Sequence, residues 1–215
     1  MQIVAAGESL TLLPQRAIFW AKASTLLIAD THFGKAETLR AAAMPVPHGA
    51  TGGALARLSR LLEETAAERL VILGDFWHAR SGITAELLEE LRVWRHEHAE
   101  LSIVTILGNH DRRTTGLFDD WSSAVHAEPV ADSPFVFGHF PEPHPAGYVL
   151  AGHLHPGVSL YGRGRQRLAL PCFRFGESVA VLPAFGALTG LATAEPQPGE
   201  SVYAIAGDRV LSIRG

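Results

Sequence analysis

Five apolar segments of this 215-residue chain each end in Asp, Asn or His, and this repeated pattern constrains the fold more than any other feature. With the polar residues that end them, the segments read TLLIADTH, LVILGDFWH, LSIVTILGNHD, PFVFGH and YVLAGHLH. Short, nearly continuous apolar runs are typical of strands buried on both faces of a sheet. Ligands of open α/β sheets bind beyond the carboxyl ends of strands, so neighbouring strands would bring these polar residues together. In the last four segments a glycine precedes the first polar residue, which allows a sharp turn and leaves room for a close ligand.

Helical patterns alternate with the early strands. Residues 52–67 and 84–99 have amphipathic spacing, and Thr84 is a plausible cap for the second helix. The predicted buried residues are Leu55, Leu58, Leu61 and Leu62 in the first helix and Leu87, Leu88, Leu91 and Trp94 in the second. Residues 157–182 read as further, largely antiparallel strands. We therefore predict an α/β (α+β) fold, a two-sheet β-sandwich flanked by helices, formed as a single domain over residues 1–215.

The overall composition excludes some classes of protein. The net charge of -4 argues against a strongly basic surface for nucleic acid or membranes, although a local basic patch remains compatible with it. A single cysteine, Cys172, rules out an intramolecular disulfide framework. The first twenty residues have neither the pattern of a signal peptide nor that of a transmembrane helix. These features favour a cytoplasmic protein without a membrane anchor.

The polar residues at the strand ends are suited to binding metal ions. Carboxylate, amide and imidazole groups without thiolates fit Mn²⁺, Fe or Zn²⁺ rather than a structural Cys-rich zinc site. The candidate ligands are Asp30, His32, Asp75, Asn109, His139, His153 and His155. They are too many for one tetrahedral ion and suit two ions that share a carboxylate. Each motif alone is a weak signal, but the ordered set of five, each after a predicted strand, is a strong one.

The ordered motifs D-x-H, G-D-x-x-H, G-N-H-D, G-H and G-H-x-H resemble those of the calcineurin-like metallophosphoesterase superfamily, over roughly residues 25–160. The stretches DTHFGKAETLRAAAMPVP, GDFWHAR, LPCFRFG and LPAFGALTG further resemble the bacterial ligase-associated DNA-damage-response phosphoesterases of the PdeM type. This resemblance implies the calcineurin-like fold and two divalent metal ions, of which Mn is favoured and Fe or Zn are alternatives. It implies that one ion is held by Asp30, His32 and His155, that the other is held by Asn109, His139 and His153, and that Asp75 bridges them.

The same resemblance implies roles for residues around the metals. The two cations would neutralise the phosphoester and activate a bridging water as hydroxide. His110 would approach the leaving oxygen as an acid, and Asp111 either orients His110 or is a turn residue. Lys35, Arg112 and Arg113 are candidates for binding the substrate phosphates, with scattered solubilising charge as the alternative.

The activity predicted from these features is hydrolysis of phosphodiesters, with a DNA endonuclease or phosphodiesterase in DNA repair as the leading interpretation. The resemblance also suggests DNA ligase, helicase or exonuclease partners, and a homo-oligomer is a further expectation. The alternatives are hydrolysis of a small nucleotide-like substrate and a non-catalytic scaffold of the same fold, although every expected ligand position is filled here. We interpret His78 as a non-ligand and His48 and His144 as solvated loop residues.

Overall fold

The computed structural model describes residues 1–47, 49–118, 120–162, 164 and 166–213, without the side chains of Arg113 and Thr115. Within these residues the first sheet has the strand order β1-β2-β3-β4-β5-β6-β7. Strands β1 to β4 pair antiparallel, and β4 to β7 pair parallel. The strands are β1 (Gln2–Ala5), β2 (Glu8–Leu13), β3 (Ala17–Trp20), β4 (Thr25–Ile28), β5 (Arg69–Leu73), β6 (Ser102–Ile106) and β7 (Ala124–His126).

The second sheet follows the first along the chain. Its described strands have the order β14-β11-β12-β13-β10-β9-β8, and β15 pairs with both β12 and β16. The strands are β8 (Val130–Asp132), β9 (Phe135–Phe137), β10 (Tyr148–Ala151), β11 (Pro156–Tyr161), β12 (Arg167–Phe175), β13 (Val179–Val181), β14 (Ala192–Thr193), β15 (Ser201–Ala206) and β16 (Arg209–Ile213). The predicted mixture of an α/β layer with a later, largely antiparallel sheet is confirmed.

The described helices are α1 (Lys35–Ala41), α2 (Ala50–Thr65) and α3 (Ala85–Glu97). Short 3-10 turns cover Ala21–Ala23, Arg80–Gly82, Asp111–Arg113 and Thr115–Leu117. The Thr84 hydroxyl caps α3 by accepting the Leu87 N–H at 3.2 Å, as predicted. Leu88 was wrongly predicted to be buried: it is 39% exposed, because it lies at the solvent edge of the stripe formed by Leu87 and Leu91.

The first sheet is the middle layer of the molecule. In β4 and the residue that follows it, Leu26 and Ile28 join the apolar cluster that includes α2 and α3, whereas Leu27 and Ala29 join the cluster shared with the second sheet. Successive strand residues point to opposite faces, so a strand covered on both sides must be apolar throughout. This explains the uninterrupted apolar runs in the sequence and confirms the two-sheet sandwich with helices outside.

Backbone pairing continues past the ends of β4 and β5 into the polar motifs. The Asp30 N–H donates to the Gly74 carbonyl at 3.1 Å, and the His32 N–H donates to the Asp75 carbonyl at 2.9 Å. In the second sheet, β9 and β10 are parallel neighbours, and their ends carry His139 and the GHLH motif. The two sheets therefore present their polar strand ends at a common site.

Candidate metal centre

The predicted ligands form two adjacent groups in the structure. One contains Asp30, His32 and His155, and the other contains Asp75, His139 and His153. Within each group the candidate ligand atoms lie within 4.8 Å of one another. Both groups draw on each sheet, because Asp30, His32 and Asp75 follow strands of the first and the other histidines follow strands of the second. The expected division has the same first group, but it assigns Asn109 to the second group and shares Asp75 between the two.

In the first group, the Nε2 atoms of His32 and His155 face each other at 3.1 Å. Asp30 is fully buried, and its Oδ1 lies 3.8 Å from His155 Nε2. A carboxylate oxygen and two imidazole nitrogens thus converge on one point, which is the donor set of a divalent cation site.

In the second group, His139 Nε2 lies 3.0 Å from Asn109 Oδ1 and 3.1 Å from His153 Nδ1. The other ring nitrogen of His139, Nδ1, is 3.1 Å from the Leu73 carbonyl oxygen and can donate to it. Such a bond places the proton on Nδ1 and leaves the lone pair of Nε2 free to bind a metal ion. The ring is therefore oriented with its ligand atom toward Asn109 and His153.

Asp75 lies between the two groups. Its Oδ2 is 3.9 Å from His32 Nε2, and its Oδ1 is 3.5 Å from His139 Nε2. The carboxylate thus presents one oxygen to each group. This is the placement required of a ligand shared by two ions.

The backbone at these ligands is unusual. Positive φ angles occur at Asp30 (52°), His32 (47°), Asp75 (48°), His153 (71°) and His155 (47°). This left-handed region is sparsely populated by residues other than glycine and costs on the order of 1–3 kcal/mol at each position. Such strain is typical of positions where the surrounding structure holds a side chain in a required direction.

Several glycines of the motifs are required by close packing against the ligands. A Cβ on Gly74 would lie 2.0 Å from His139 Nδ1, and one on Gly108 would lie 2.1 Å from Asp75 Oδ1. A Cβ on Gly152 would lie 2.7 Å from Asp30 Oδ2. The glycines that precede polar residues in the sequence thus create the space in which ligands of neighbouring strands sit.

The electrostatics of the site suit metal binding. Burial is the main cause that lowers the pKa of His32 to about 2, and the nearby His155 adds to it. Burial is also the main cause that lowers the pKa of His155 to about 4, and Lys35 adds to it. Both rings are therefore neutral at pH 7, the form that binds a metal ion. Burial and the neighbouring Asp75 raise the pKa of Asp30 well above its ordinary value. A cation would favour the ionised carboxylate and so oppose this shift.

His110 lies at the exposed edge of the centre. Its Nε2 is 3.9 Å from Asp75 Oδ2, its Nδ1 is 2.7 Å from the His78 carbonyl oxygen, and its side chain is 37% exposed. The His78 ring stacks on the His110 ring at 5.3 Å and contacts the edge of His32 at 5.4 Å. His78, interpreted from the sequence as a non-ligand, thus adjoins the site through both its ring and its carbonyl group.

The Asp111 carboxylate bonds to backbone groups. It accepts N–H groups from Gly108 at 2.9 Å, Phe76 at 3.2 Å and Trp77 at 2.9 Å. Burial raises its pKa to about 6 even though these hydrogen bonds lower it. Among the residues that the structure describes, the contact that orients the His110 ring is the His78 carbonyl and not Asp111. Asp111 ties the loop after β6 to the loop after β5.

The predicted substrate-binding residues are placed as follows. Lys35, half-buried at the start of α1, is close enough to His32, His78 and His155 to lower the pKa of each. Arg112 is exposed and shares a cavity wall with His139. The side chain of Arg113 lies outside the described part of the structure, as does His48, and His144 lies on an exposed loop.

The segment LPAFGALTG, one of the stretches that carry the narrower resemblance, holds the backbone at the end of β4. The Phe185 N–H donates to the Ala29 carbonyl at 2.7 Å and the Gly186 N–H donates to the Asp30 carbonyl at 3.1 Å. The Arg16 guanidinium donates to the Gly186 carbonyl at 3.2 Å, and the Arg57 guanidinium lies 4.0 Å over the Phe185 ring. These contacts link residues far apart in sequence, so only a pairing signal between distant positions could have found them.

Comparison with known proteins places this geometry in a family. The sequence model of the calcineurin-like phosphoesterases matches residues 23–154. A nuclease from Pseudomonas putida, MPE, is 40% identical with a TM-score of 0.86, and the alignment covers 99% of both chains. The phosphoesterase Yfce from E. coli is 14% identical with a TM-score of 0.46, over 88% of this chain and 97% of that one.

No curated protein matched the chain, and no described helix is long and apolar enough to cross a membrane. The family match confirms the resemblance drawn from the five motifs, and the likeness to the nuclease is consistent with the narrower resemblance. The chain belongs to the calcineurin-like phosphoesterase family.

Proposed function

We propose that the chain is a dinuclear-metal phosphodiesterase that acts on DNA, as an endonuclease of DNA repair within a single domain. The observation that carries this proposal is the position of Asp75, which presents Oδ2 to one ligand group and Oδ1 to the other. A buried carboxylate is tolerated when an opposite charge compensates it, and a cation in each ligand group would supply that charge to Asp75.

The donor set fits two divalent cations, for which Mn²⁺ is our first choice because carboxylate, amide and imidazole ligands accommodate it. Asp30, His32 and His155 would hold one ion, and Asn109, His139 and His153 the other, with Asp75 shared. When bound, the pair supplies Lewis acidity, which neutralises phosphate charge and makes water a nucleophile at neutral pH. The protein supplies the directions of the ligands, fixed by the strand ends and by the hydrogen bond of His139 to Leu73.

His110 is the proposed acid for the leaving oxygen. With Nδ1 donating to the His78 carbonyl, a protonated ring has one free N–H, at Nε2, on the side of Asp75. The exposed edge of the ring can reach a substrate, and transfer of the Nε2 proton would neutralise the departing alkoxide.

Asp111 is a positioning residue in this proposal. Its three backbone bonds connect Gly108, next to Asn109, with Phe76 and Trp77, next to Asp75. The His110 N–H in turn donates to Asp75 Oδ1 at 2.9 Å. Asp111 therefore acts on the chemistry by fixing the loops that carry a bridging ligand and the acid.

Support for DNA as the substrate comes from similarity and from local charge. The similar protein from Pseudomonas putida is a nuclease. Lys35, which shares a cavity wall with His32, and Arg112, which shares one with His139, can bind phosphate oxygens of a nucleic acid backbone, despite the net charge of -4. The same proposal includes a cytoplasmic location and assembly into a homo-oligomer. It also includes repair proteins as partners, such as a ligase, helicase or exonuclease.

The test measures metal content and activity together. Protein reconstituted with Mn²⁺ is assayed on a simple aryl phosphodiester, on linear DNA and on covalently closed circular DNA. We expect two bound ions per chain and cleavage of all three substrates, since an endonuclease needs no DNA end. Hydrolysis of the aryl diester without cleavage of either DNA would favour a small nucleotide-like substrate. Failure on every substrate with two ions bound would favour a non-catalytic scaffold.

A further inference from the structure

We propose that Phe140 is the platform on which a nucleobase of the substrate stacks, beside the second ligand group. This inference rests on the proposed phosphodiesterase function and adds a residue that determines how a nucleoside is bound. Phe140 would contact the nucleoside that stays on the phosphate after cleavage.

The position of the Phe140 ring is the first support. Its centroid lies 4.8 Å from the ring of His139 and 4.8 Å from that of His153, and both contacts are edge-to-face. The side chain is nevertheless 39% exposed. The ring is thus held in place by two metal-ligand candidates and still has open apolar surface available to a ligand.

A cavity of about 280 Å³ adjoins this ring. Phe140, Pro129 and Pro143 provide apolar walls, and Arg112, Glu128 and Glu142 provide charged groups. Two carboxylates would repel a second phosphate, whereas they can accept the amino or imino N–H groups of a base. The cavity therefore fits an uncharged base next to the reacting phosphate, with Arg112 available to the phosphate itself.

The loop that carries Phe140 is stiffened by its sequence. Prolines occupy positions 141, 143 and 145, and each fixes its own φ angle. The Glu142 N–H also donates to the Phe140 carbonyl at 2.9 Å. A platform that is already ordered loses little conformational entropy when a base binds to it.

The side of the centre on which Phe140 lies assigns it to the retained nucleoside. His110, the proposed acid for the leaving oxygen, packs against His32 of the first group at 5.0 Å. Phe140 packs against His139 and His153 of the second group. The base at Phe140 therefore belongs to the nucleoside on the other side of the phosphorus.

The kinetic test uses two diesters with the same leaving group, methyl p-nitrophenyl phosphate and thymidine 5′-(p-nitrophenyl phosphate). Phe140→Leu keeps an apolar side chain but removes the π face. We expect kcat/KM on the thymidine ester to fall about 5- to 150-fold, mainly through KM, the range of one base–aromatic stack. Hydrolysis of the methyl ester should change less than about twofold, and Phe140→Trp should restore the thymidine ester.

Leu154→Ala is the matched control. Leu154 also lies next to metal-ligand candidates and is 47% exposed, but it is not part of the cavity wall. Leu154→Ala should change kcat/KM by the same factor on the two esters. An equal loss on both esters in Phe140→Leu would overturn the proposal, because it would mean that the ring only supports His139 and His153. No change on either ester would overturn it as well.

A binding measurement separates this proposal from the proposed function. In a His110→Gln background, in which cleavage is slow, quenching of 2-aminopurine fluorescence in a single-stranded oligonucleotide reports stacking before the substrate is cut. We expect quenching that Phe140→Leu abolishes and Phe140→Trp restores. Quenching that persists in Phe140→Leu would refute the platform even if the enzyme cleaves DNA. Wild-type protein inactive on both esters would refute the phosphodiesterase function, whatever the fluorescence shows.

Discussion

Gly74, which directly precedes the candidate bridging ligand Asp75, offers the sharpest test of how the fold builds the metal centre. Its φ of +83° lies in the left-handed region, and a Cβ there would be 2.0 Å from Nδ1 of His139. Gly138 directly precedes His139 and is the matched control, because the nearest atom to its Cβ would be 3.6 Å away and its φ is not in the left-handed region. The substitutions Gly74→Ala and Gly138→Ala are therefore identical in chemistry and differ in the backbone conformation and the packing that the added Cβ meets.

The expected cost of Gly74→Ala has two parts. A left-handed Ala costs about 1–2 kcal/mol relative to Gly. In addition, the His139 ring must move from 2.0 Å to an ordinary contact of at least 3.4 Å, a shift of about 1.4 Å. That shift breaks the 3.1 Å contact of Nδ1 with the Leu73 carbonyl, and a buried group left unpaired costs about 1–3 kcal/mol. The free energy of unfolding should thus fall by about 2–5 kcal/mol, equivalent to roughly 4–20 °C in Tm for a chain of this size.

The assay measures Tm, metal content and hydrolysis of an aryl phosphodiester for both variants. A ligand displaced by more than 1 Å should lower the rate by about 10²-fold or more and reduce metal occupancy in the group that contains His139. Gly138→Ala should keep near-normal Tm, metal and activity. Equal behaviour of the two variants would refute the argument that glycine creates space for His139. A destabilised Gly74→Ala that kept both ions and full rate would show that His139 is not a ligand.

Four further expectations concern the metals, the acid and the fold. Asp75→Asn should abolish hydrolysis and lower bound metal, because an amide cannot compensate two cations; retention of two ions at a near-normal rate, measured by elemental analysis and kinetics, would contradict the shared-ligand role. His110→Gln should keep both metals and lose about 10²–10⁴ in rate, with a smaller loss for nitrophenyl than for alkyl leaving groups; an equal loss would indicate substrate positioning instead. Removal of metal with EDTA should abolish activity but leave the far-UV circular dichroism unchanged. Tm should fall, because the metal-free protein loses the stabilisation by ion binding, about 2.7 kcal/mol per site at a free ion concentration of 100 times Kd. Unfolding on chelation would show that the metals are part of the fold. The hydrogen bond from Arg174 lowers the pKa of Glu200 from its ordinary value, so the stabilisation by the ionised carboxylate is present at neutral pH and lost as the pH falls through the folded-state pKa; the Tm difference between wild type and Glu200→Gln should therefore be largest near neutral pH and shrink as the pH falls, and a difference independent of pH would exclude an ionic contribution.

Two signals that coincide in the sequence predict that the candidate ligands converge, whereas their division between two ions is implied by the family resemblance. Apolar runs such as LVILGD define strands covered on both faces, and residue types suited to metals stand directly after them. Parallel neighbours in one sheet end at the same edge, so Asp30, Asp75 and Asn109 had to lie near one another once the strand order was right.

Other features depended on contacts that local patterns do not encode. Helix α1 was not predicted, because Gly34 and the alanine-rich stretch after it give no clear amphipathic stripe. The role of Asp111 was open between orienting His110 and forming a turn, and the structure shows its carboxylate bonded to three backbone N–H groups instead. The segment around Gly186 docks against Asp30 from more than 150 residues away, which a single sequence cannot reveal.

The strained ligand positions are stabilised by one another, which couples the two halves of the centre. Both carboxylate oxygens of Asp30 accept the His153 N–H, at 3.1 and 2.9 Å, although these residues belong to different ligand groups and different sheets. The Asp30 carbonyl also accepts the Gly186 N–H at 3.1 Å. Asp30 is therefore both a candidate ligand of the first group and the residue that holds the backbone of a second-group ligand at its φ of 71°. A left-handed residue without compensating contacts costs on the order of 1–3 kcal/mol. Loss of the Asp30 carboxylate would therefore remove a ligand from the first group and also release the His153 backbone from its left-handed conformation.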